Sequence, residues 1–179
     1  GGVMISIAMA TYNGERYIEK QLYSILNQTV PADEIIICDD CSDDNTVKKI
    51  REIIKNNRSE SHIRLEVNDK NLGYVGNFYK AISLTAGDYI FLEDQDDVWH
   101  INKIETMNEL MNHTNAQAIC TNFTLIDQNG NRFEDENIFH INGFVRKCNK
   151  EIKEIKEIKF SRLVFGNLVQ GCTYCFTRQ

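Results

Sequence analysis

The chain predicts an α/β fold in a single domain over residues 1–179, a mostly parallel sheet flanked by helices. Two observations carry this. Short apolar, β-rich runs alternate with segments whose apolar residues recur every three to four positions, as in repeated strand–helix units. Clusters of polar residues sit at the C-terminal ends of those runs, and in a parallel sheet these ends share the edge where ligands bind. No repeat, linker or low-complexity tract divides the chain, and 179 residues suffice for one sizeable core.

Val3 to Met9 is apolar and β-rich and reads as a central strand covered on both faces. Thr11-Tyr12-Asn13-Gly14 then turns into a helix with Ile18, Leu22, Ile25 and Leu26 on one side, ending near Asn27. Pro31, the only proline, marks the link to the next strand, Glu34 to Cys38. In the run Asp39 to Thr46, Ser42 or Asp43 suits the cap of the following helix, and Asp43 suits it better. That helix carries Val47, Ile50, Ile53 and Ile54, and fades between Asn56 and Ser61.

A third strand spans Ile63 to Val67, and Asn68 to Gly76 reads as a long loop. Phe78, Ala81 and Ile82 mark the next helix, with Gly87 placed as its C′ glycine. A short strand, Tyr89-Ile90-Phe91-Leu92, leads into the acidic stretch. A helix over about Asn102–Asn112, a fifth strand over Ala118–Phe123 and a turn at Asp127–Asn131 follow. Residues 132–150 give no clear pattern. Glu151 to Phe160 places isoleucine at every third position and reads as a charged rim helix, and the chain closes on the strand-like Gly171-Cys172-Thr173-Tyr174-Cys175-Phe176-Thr177.

Composition narrows the function. The net charge of −6 excludes a general nucleic-acid binder, which would show a basic stripe. A phosphorylated ligand would have to be held by a metal, by backbone N–H groups or by a few local bases. The six cysteines include two C-x-x-C pairs, Cys38/Cys41 and Cys172/Cys175. Partners three apart on a regular strand face opposite ways, so buried, reduced thiols are expected rather than a zinc site. No secretory leader is read at the start, and no apolar run reaches about 18 residues. The expected location is the cytoplasm, with contact at the inner face of the plasma membrane left open.

The chemistry concentrates in Phe91–Trp99, which holds Glu93, Asp94, Asp96 and Asp97 within five positions. Adjacent carboxylates repel, and a packed core has no use for them. In an extended segment Asp94 and Asp96 would share a face. Oxygen ligands with open positions suit Mg2+ or Mn2+ together with a phosphate. The plain alternative is an acidic surface turn, but the strand's C-terminal end in an α/β pattern favours a ligand site.

The pieces ISIAMATYNGERYIEKQLYSILNQT, EIIICDDCSDDNT, NLGYVGNF, AGDYIFLEDQDDVW and FGNLVQGCTYCFT together resemble family 2 glycosyltransferases of the GT-A, Rossmann-like fold, over nearly the whole chain. The DQDDVW form is similar to rhamnosyltransferase-like members that build bacterial cell-surface polysaccharides. The resemblance implies transfer of a sugar, with inversion, from a nucleoside diphosphate sugar donor (UDP- or dTDP-linked) to a saccharide or lipid-linked acceptor. It implies that Thr11, Tyr12 and Asn13 line the nucleotide pocket with Glu15 at the rim, and that Asp40 accepts a hydrogen bond from the base. Asn71 and Gly73 would approach the nucleotide, Asp94 and Gln95 the ribose or sugar side, and Asp96 and Asp97 the Mn2+ or Mg2+.

The same resemblance places the general base on an acidic residue beyond the GCT strand. It is therefore expected past Gln179, with the chain forming the donor-binding part. Two departures from the family pattern stand out: His100-Ile101-Asn102-Lys103 after the acidic stretch, with His100 read as an exposed loop residue, and Asn77-Phe78 where a basic residue is common. The alternatives are a nucleotidyltransferase on a similar sheet, whose basic glycine-rich first loop is missing here, and a non-catalytic nucleotide- or sugar-binding module.

Overall fold

The computed structural model describes residues 2–114, 116–121, 123–124, 126–127, 129–131, 139–141, 144–146 and 173–178. The elements are β1 (Ile5–Thr11), α1 (Ile18–Leu26), β2 (Glu34–Asp39), α2 (Thr46–Asn56), β3 (His62–Val67), α3 (Gly73–Leu84), β4 (Tyr89–Glu93), α4 (Lys103–Thr114), β5 (Ala118–Cys120), β6 (Phe139–Ile141), β7 (Phe144–Arg146) and β8 (Tyr174–Thr177).

Six strands form one sheet in the order β3-β2-β1-β4-β8-β5. The first four are parallel, whereas β8 runs antiparallel to both β4 and β5. The sheet is thus mostly parallel, as expected. β1 is a central strand with every residue buried, which is why its sequence is an unbroken apolar run rather than an alternating one. One face packs Ile7, Met9, Ile35, Ile37 and Phe91 against Ile18, Leu22, Ile50, Ile104 and Met107 of α1, α2 and α4. The other face sets Ala8, Ile36, Cys38 and Ile90 against Ala81 of α3. β6 and β7 form a separate two-stranded pair in the stretch that gave no pattern in the sequence. The reading of a rim helix over 151–160, and those of Cys148 and Cys172, lie outside the described residues.

Several boundaries differ from expectation for one physical reason. β1 runs two residues past Met9, β2 one past Cys38 and β4 one past Leu92, so Thr11, Asp39 and Glu93 are strand residues at most 2% exposed. An apolar pattern ends at the first polar side chain, but the strands continue because these side chains find buried partners. The helix caps also move. At α2 neither Ser42 nor Asp43 caps; Asp44 Oδ1 accepts the Thr46 N–H at 2.8 Å. α3 begins at Gly73, so the loop expected as far as Gly76 is helical from that point.

Gly87 does not serve as a left-handed C′ glycine. The helix ends with Thr85 in an extended conformation, and Gly87 lies instead where β1 leaves no space. A Cβ there would stand 2.8 Å from the Met4 carbonyl oxygen and 2.9 Å from the Ser6 nitrogen, backbone atoms that cannot swing aside. Gly87→Ala is expected to destabilise the fold by about 1–3 kcal/mol, read as a lower denaturant midpoint at unchanged m-value. An unchanged midpoint would refute the close approach.

Candidate functional site

The C-terminal ends of β1, β2 and β4 meet on one edge, and their loops are stitched together there. The Gln95 side chain clasps the backbone of Tyr12 twice: its Oε1 accepts the Tyr12 N–H at 2.7 Å and its Nε2 donates to the Tyr12 carbonyl at 2.9 Å. Gly14 lies directly beneath this amide, where a Cβ would collide with the Gln95 side chain. Asn13, at φ 49°, donates its N–H to Ser42 Oγ and accepts the Asp43 N–H on its Oδ1, each at 2.9 Å. Glu15 holds the backbone and side-chain amides of Asn45, both at 2.8 Å. Tyr12 itself is half exposed on this edge.

Thr11, Asp39 and Asp40 serve the interior. Thr11 Oγ1 donates to Asp39 Oδ2 at 2.9 Å, and Asp39 also accepts the Ser42 N–H and hydroxyl at 2.9 and 2.6 Å. Asp40 is 2% exposed. Its Oδ1 accepts from Leu72 N at 2.7 Å and Asn68 Nδ2 at 2.8 Å, and its Oδ2 accepts from Gly73 N at 2.9 Å. The carboxylate thus lies on the first N–H groups of α3, where a negative charge is favoured. Asn71 completes the clasp by donating to the Asp40 carbonyl at 3.2 Å, and Gly73 supplies the required left-handed φ of 73°. Asn77, at the position where a basic residue is common, is buried and ties Asn68 to the Cys38 carbonyl.

The acidic stretch divides by depth. Glu93 is fully buried, with Gln21 Nε2 donating to its Oε1. Its Oε2 and the Trp99 indole Nε1 are both buried without a well-formed hydrogen bond. Burial drives the Glu93 carboxyl well above its ordinary value; Lys103, whose Nζ lies 4.2 Å from the centre of the Trp99 ring, opposes the shift only in part. The chain then turns at Gln95–Asp96 instead of staying extended, so the alternation expected to align Asp94 with Asp96 does not apply. What groups these acids is the turn. Asp94 is half-buried and pushed up to about 6, by desolvation first and by Asp96 and Asp97 next. Asp96 reaches solvent, yet it too is raised, by partial desolvation and then by Asp97.

The pH dependence follows in sign. A carboxyl whose folded pKa is raised adds stability below its unfolded value and loses that contribution as pH climbs through its folded value. For Asp94 that window runs from about 4 to about 6. In metal-free buffer, Asp94→Asn should match wild type near pH 4 and exceed it near pH 7.5. After allowance for screening by solvent the gain is about 1 kcal/mol, or a few degrees in Tm. A variant less stable than wild type at pH 7.5 would show that Asp94 is not under this tension.

Residues of α1, and one just past its end, that sequence reasoning passed over hold the stretch in place. Besides Gln21, Ser24 Oγ accepts the Trp99 N–H at 3.0 Å. Gln28 donates to the His100 carbonyl at 2.7 Å and accepts the Ile104 N–H at 3.1 Å, so it also caps the start of α4. The signal was present: Gln21, Ser24 and Gln28 recur at the helical period beside the apolar stripe. His100 is exposed, as expected. Next to Asp96 opens a groove of about 270 Å3, bounded by Arg16 and Tyr17 before α1, Lys20 of α1, Val98, and Asp127, Asn129 and Gly130.

Among the described residues no three His, Cys, Asp or Glu side chains converge as a metal cage. Cys38 and Cys175 are buried and free, their thiols pushed by burial to about 11 and about 12, as expected of buried, reduced thiols, whereas Cys41 is free but only partly buried. No helix among the described residues is long and apolar enough to cross a membrane.

Comparison with known proteins places this edge in context. The family model "Glycosyl transferase family 2" matches residues 6–176. The chain is 34% identical over 126 residues to the UDP-Glc:alpha-D-GlcNAc-diphosphoundecaprenol beta-1,3-glucosyltransferase WfgD of Escherichia coli, covering 70% of this chain and 48% of that protein. It is 33% identical over 171 residues to the dTDP-rhamnosyl transferase RfbG of Shigella flexneri, covering 89% and 58%. The chain thus spans about half the length of the curated relatives it matches. Its fold matches S. aureus TarS in complex with UDP-GlcNAc (TM-score 0.61, 21% identity, 67% of this chain and 34% of that one). It also matches the mannosyltransferase PcManGT of Pyrobaculum calidifontis in complex with GDP-Man and Mn2+ (TM-score 0.63, 20% identity, 69% and 36%). With that model running through four of the six sheet strands in full and most of the other two, on a GT-A sheet, the chain belongs to glycosyl transferase family 2.

Proposed function

We propose that this chain forms the donor-binding part of a metal-dependent, inverting glycosyltransferase. It takes a UDP- or dTDP-sugar, with rhamnose among the candidate sugars, and passes the sugar to a hydroxyl of a saccharide or lipid-linked acceptor. The observation that carries this reading is the set of crowded carboxyls, Asp94, Asp96 and Asp97, at the end of β4 on the edge shared with β1 and β2. Relatives that use UDP-Glc and a dTDP-rhamnosyl donor support the donor class. The protein's place of action would be the inner face of the plasma membrane, a reading supported by the lipid-linked acceptor named for WfgD.

The donor set fits Mg2+ or Mn2+. It is all oxygen, its Asp94 and Asp96 carboxyls are raised by desolvation first and then by neighbouring carboxylates whose charge a cation would offset, and among the described residues it falls short of a closed protein cage. These ions keep open positions for phosphate and water. Asp96 and Asp97 would hold the ion, which supplies Lewis-acid charge opposite the leaving diphosphate. Asp94 and Gln95 would face the ribose and sugar. Tyr12 and Asn13 would border the base, with Glu15 at the rim and Thr11 supporting from below. Asp40 would act on the nucleotide through the loop it fixes, presenting Asn71 and Gly73. Deprotonation of the acceptor hydroxyl needs a general base, to which we assign no residue.

The test is thermal stabilisation. UDP or dTDP at about a hundred times its dissociation constant should add about 2.7 kcal/mol, a Tm rise of roughly 5–10 °C, and only with Mn2+ or Mg2+ present. Asp96→Ala should abolish the rise while leaving the ligand-free Tm close to wild type. No shift with any nucleoside diphosphate in the presence of metal would sink the reading. Pyrophosphate release from a nucleoside triphosphate would turn it towards a nucleotidyltransferase.

A further inference from the structure

α2 carries its bases on one side. Lys48, Arg51 and Lys55 follow at intervals of three and four residues, a single stripe on a 3.6-residue helix. Arg58 comes two residues past the helix end. All four are exposed, and the helix buries Thr46, Ile50 and Ile53 on the opposite side. Lys49, the other base of the helix, is engaged elsewhere: it pairs with Glu19 at 3.0 Å and donates to the Glu15 carbonyl. None of the four takes part in an ion pair among the described residues. The three helical bases border a shallow cleft of about 430 Å3 with Asp44, Val47 and Glu52.

Charge is therefore strongly uneven. Residues 46–58 hold five bases and one acid, a net +4 in a chain whose total is −6. We propose that this stripe docks the protein on an anionic lipid surface. The helix holds its three bases on one exposed face, which suits contact with a broad array of headgroups. Outside residues 46–58 the chain carries a net −10, and a planar surface meets the protein through the α2 face alone, where Asp44 and Glu52 are the acids that border the cleft. A nucleic acid or other flexible polyanion that wrapped the protein would meet that acidic remainder. Each base near an anionic leaflet contributes about a fivefold gain in partitioning. The proposal stands on α2 alone and is independent of the donor-site reading.

Sedimentation of the chain with vesicles tests it. Binding is expected to vesicles about one third phosphatidylglycerol, with none to pure phosphatidylcholine. It should fall steeply between about 0.05 and about 0.3 M NaCl. The variant K48Q/R51Q/K55Q/R58Q should lose binding by at least about fiftyfold while keeping its Tm and its nucleotide-dependent Tm shift. The salt titration of the unmodified chain gives the same answer without any substitution. Three results would overturn the proposal: equal binding by the variant, indifference of the wild type to phosphatidylglycerol, or tighter binding of heparin or single-stranded DNA than of vesicles at equal charge.

Discussion

Asp40→Ala is expected to destabilise the protein by about 3 kcal/mol, a Tm loss of roughly 6–12 °C. The substitution removes one acceptor group and strands three donors: the N–H groups of Leu72 and Gly73 and the Asn68 amide. Asp40 is 2% exposed, so water does not readily replace it. The damage should spread along the polar chain behind it. Asn68 also bonds Asn77, and Lys80 Nζ donates to Asn68 Oδ1 at 2.7 Å, so the first two turns of α3 lose their anchor to β2 and β3. Asp40→Asn keeps one acceptor oxygen and should cost about half as much. Hydrogen exchange gives the sharper check: amides 72–78 should lose protection while those of α4 keep theirs. A variant with native stability and uniformly native protection would mean that Asp40 does not clasp the loop.

Phe91→Ala is expected to cost about 3–5 kcal/mol, the largest effect of any substitution considered. Phe91 is fully buried at the centre of the sheet, opposite Ile7 of β1 and Cys175 of β8. Its ring lies 5.7 Å from the Trp99 ring, centre to centre. Truncation opens a cavity beneath the two residues that bracket the acidic turn, Glu93 and Trp99. Denaturant unfolding should show the loss in the midpoint. Because β4 delivers Asp94, Asp96 and Asp97, metal-dependent nucleotide binding should weaken too, although every proposed ligand remains. A loss under about 1 kcal/mol would mean that the site can collapse around the gap.

The two predictions share a lesson about what was legible. The apolar periodicity of β1, α1, β2 and α2 reads directly because burial on a sheet or helix face repeats at a fixed interval. The motifs around Thr11, Asp39–Asp40 and Asp94–Asp97 were legible as a group because strand ends in a parallel sheet share an edge. The depth of each side chain was not. In the sequence Asp39, Asp40 and Glu93 all read alike, as acids of the strand ends where a ligand would bind. In the fold the first two are structural acceptors, and the third is buried against Gln21, seventy-two positions away. Glycines show the same split: Gly73 is explained by its own φ, whereas Gly87 is explained only by Met4 and Ser6 across the sheet.

The amino-acid order alone determined the α/β class, the sequence and approximate bounds of the four parallel strands and their helices, and the family, and it singled out the acidic stretch now proposed as the chemical centre. All of these rest on local periodicity or contiguous motifs. Only the tertiary structure decided which acids face solvent, that Gln95 locks the acidic turn to Tyr12, that Asp44 and Asp40 serve the helix starts, and that β8 inserts antiparallel between β4 and β5. The reason is physical: whether a polar group is ligand, clasp or cap depends on the partner that desolvates or satisfies it, and those partners lie far away along the chain.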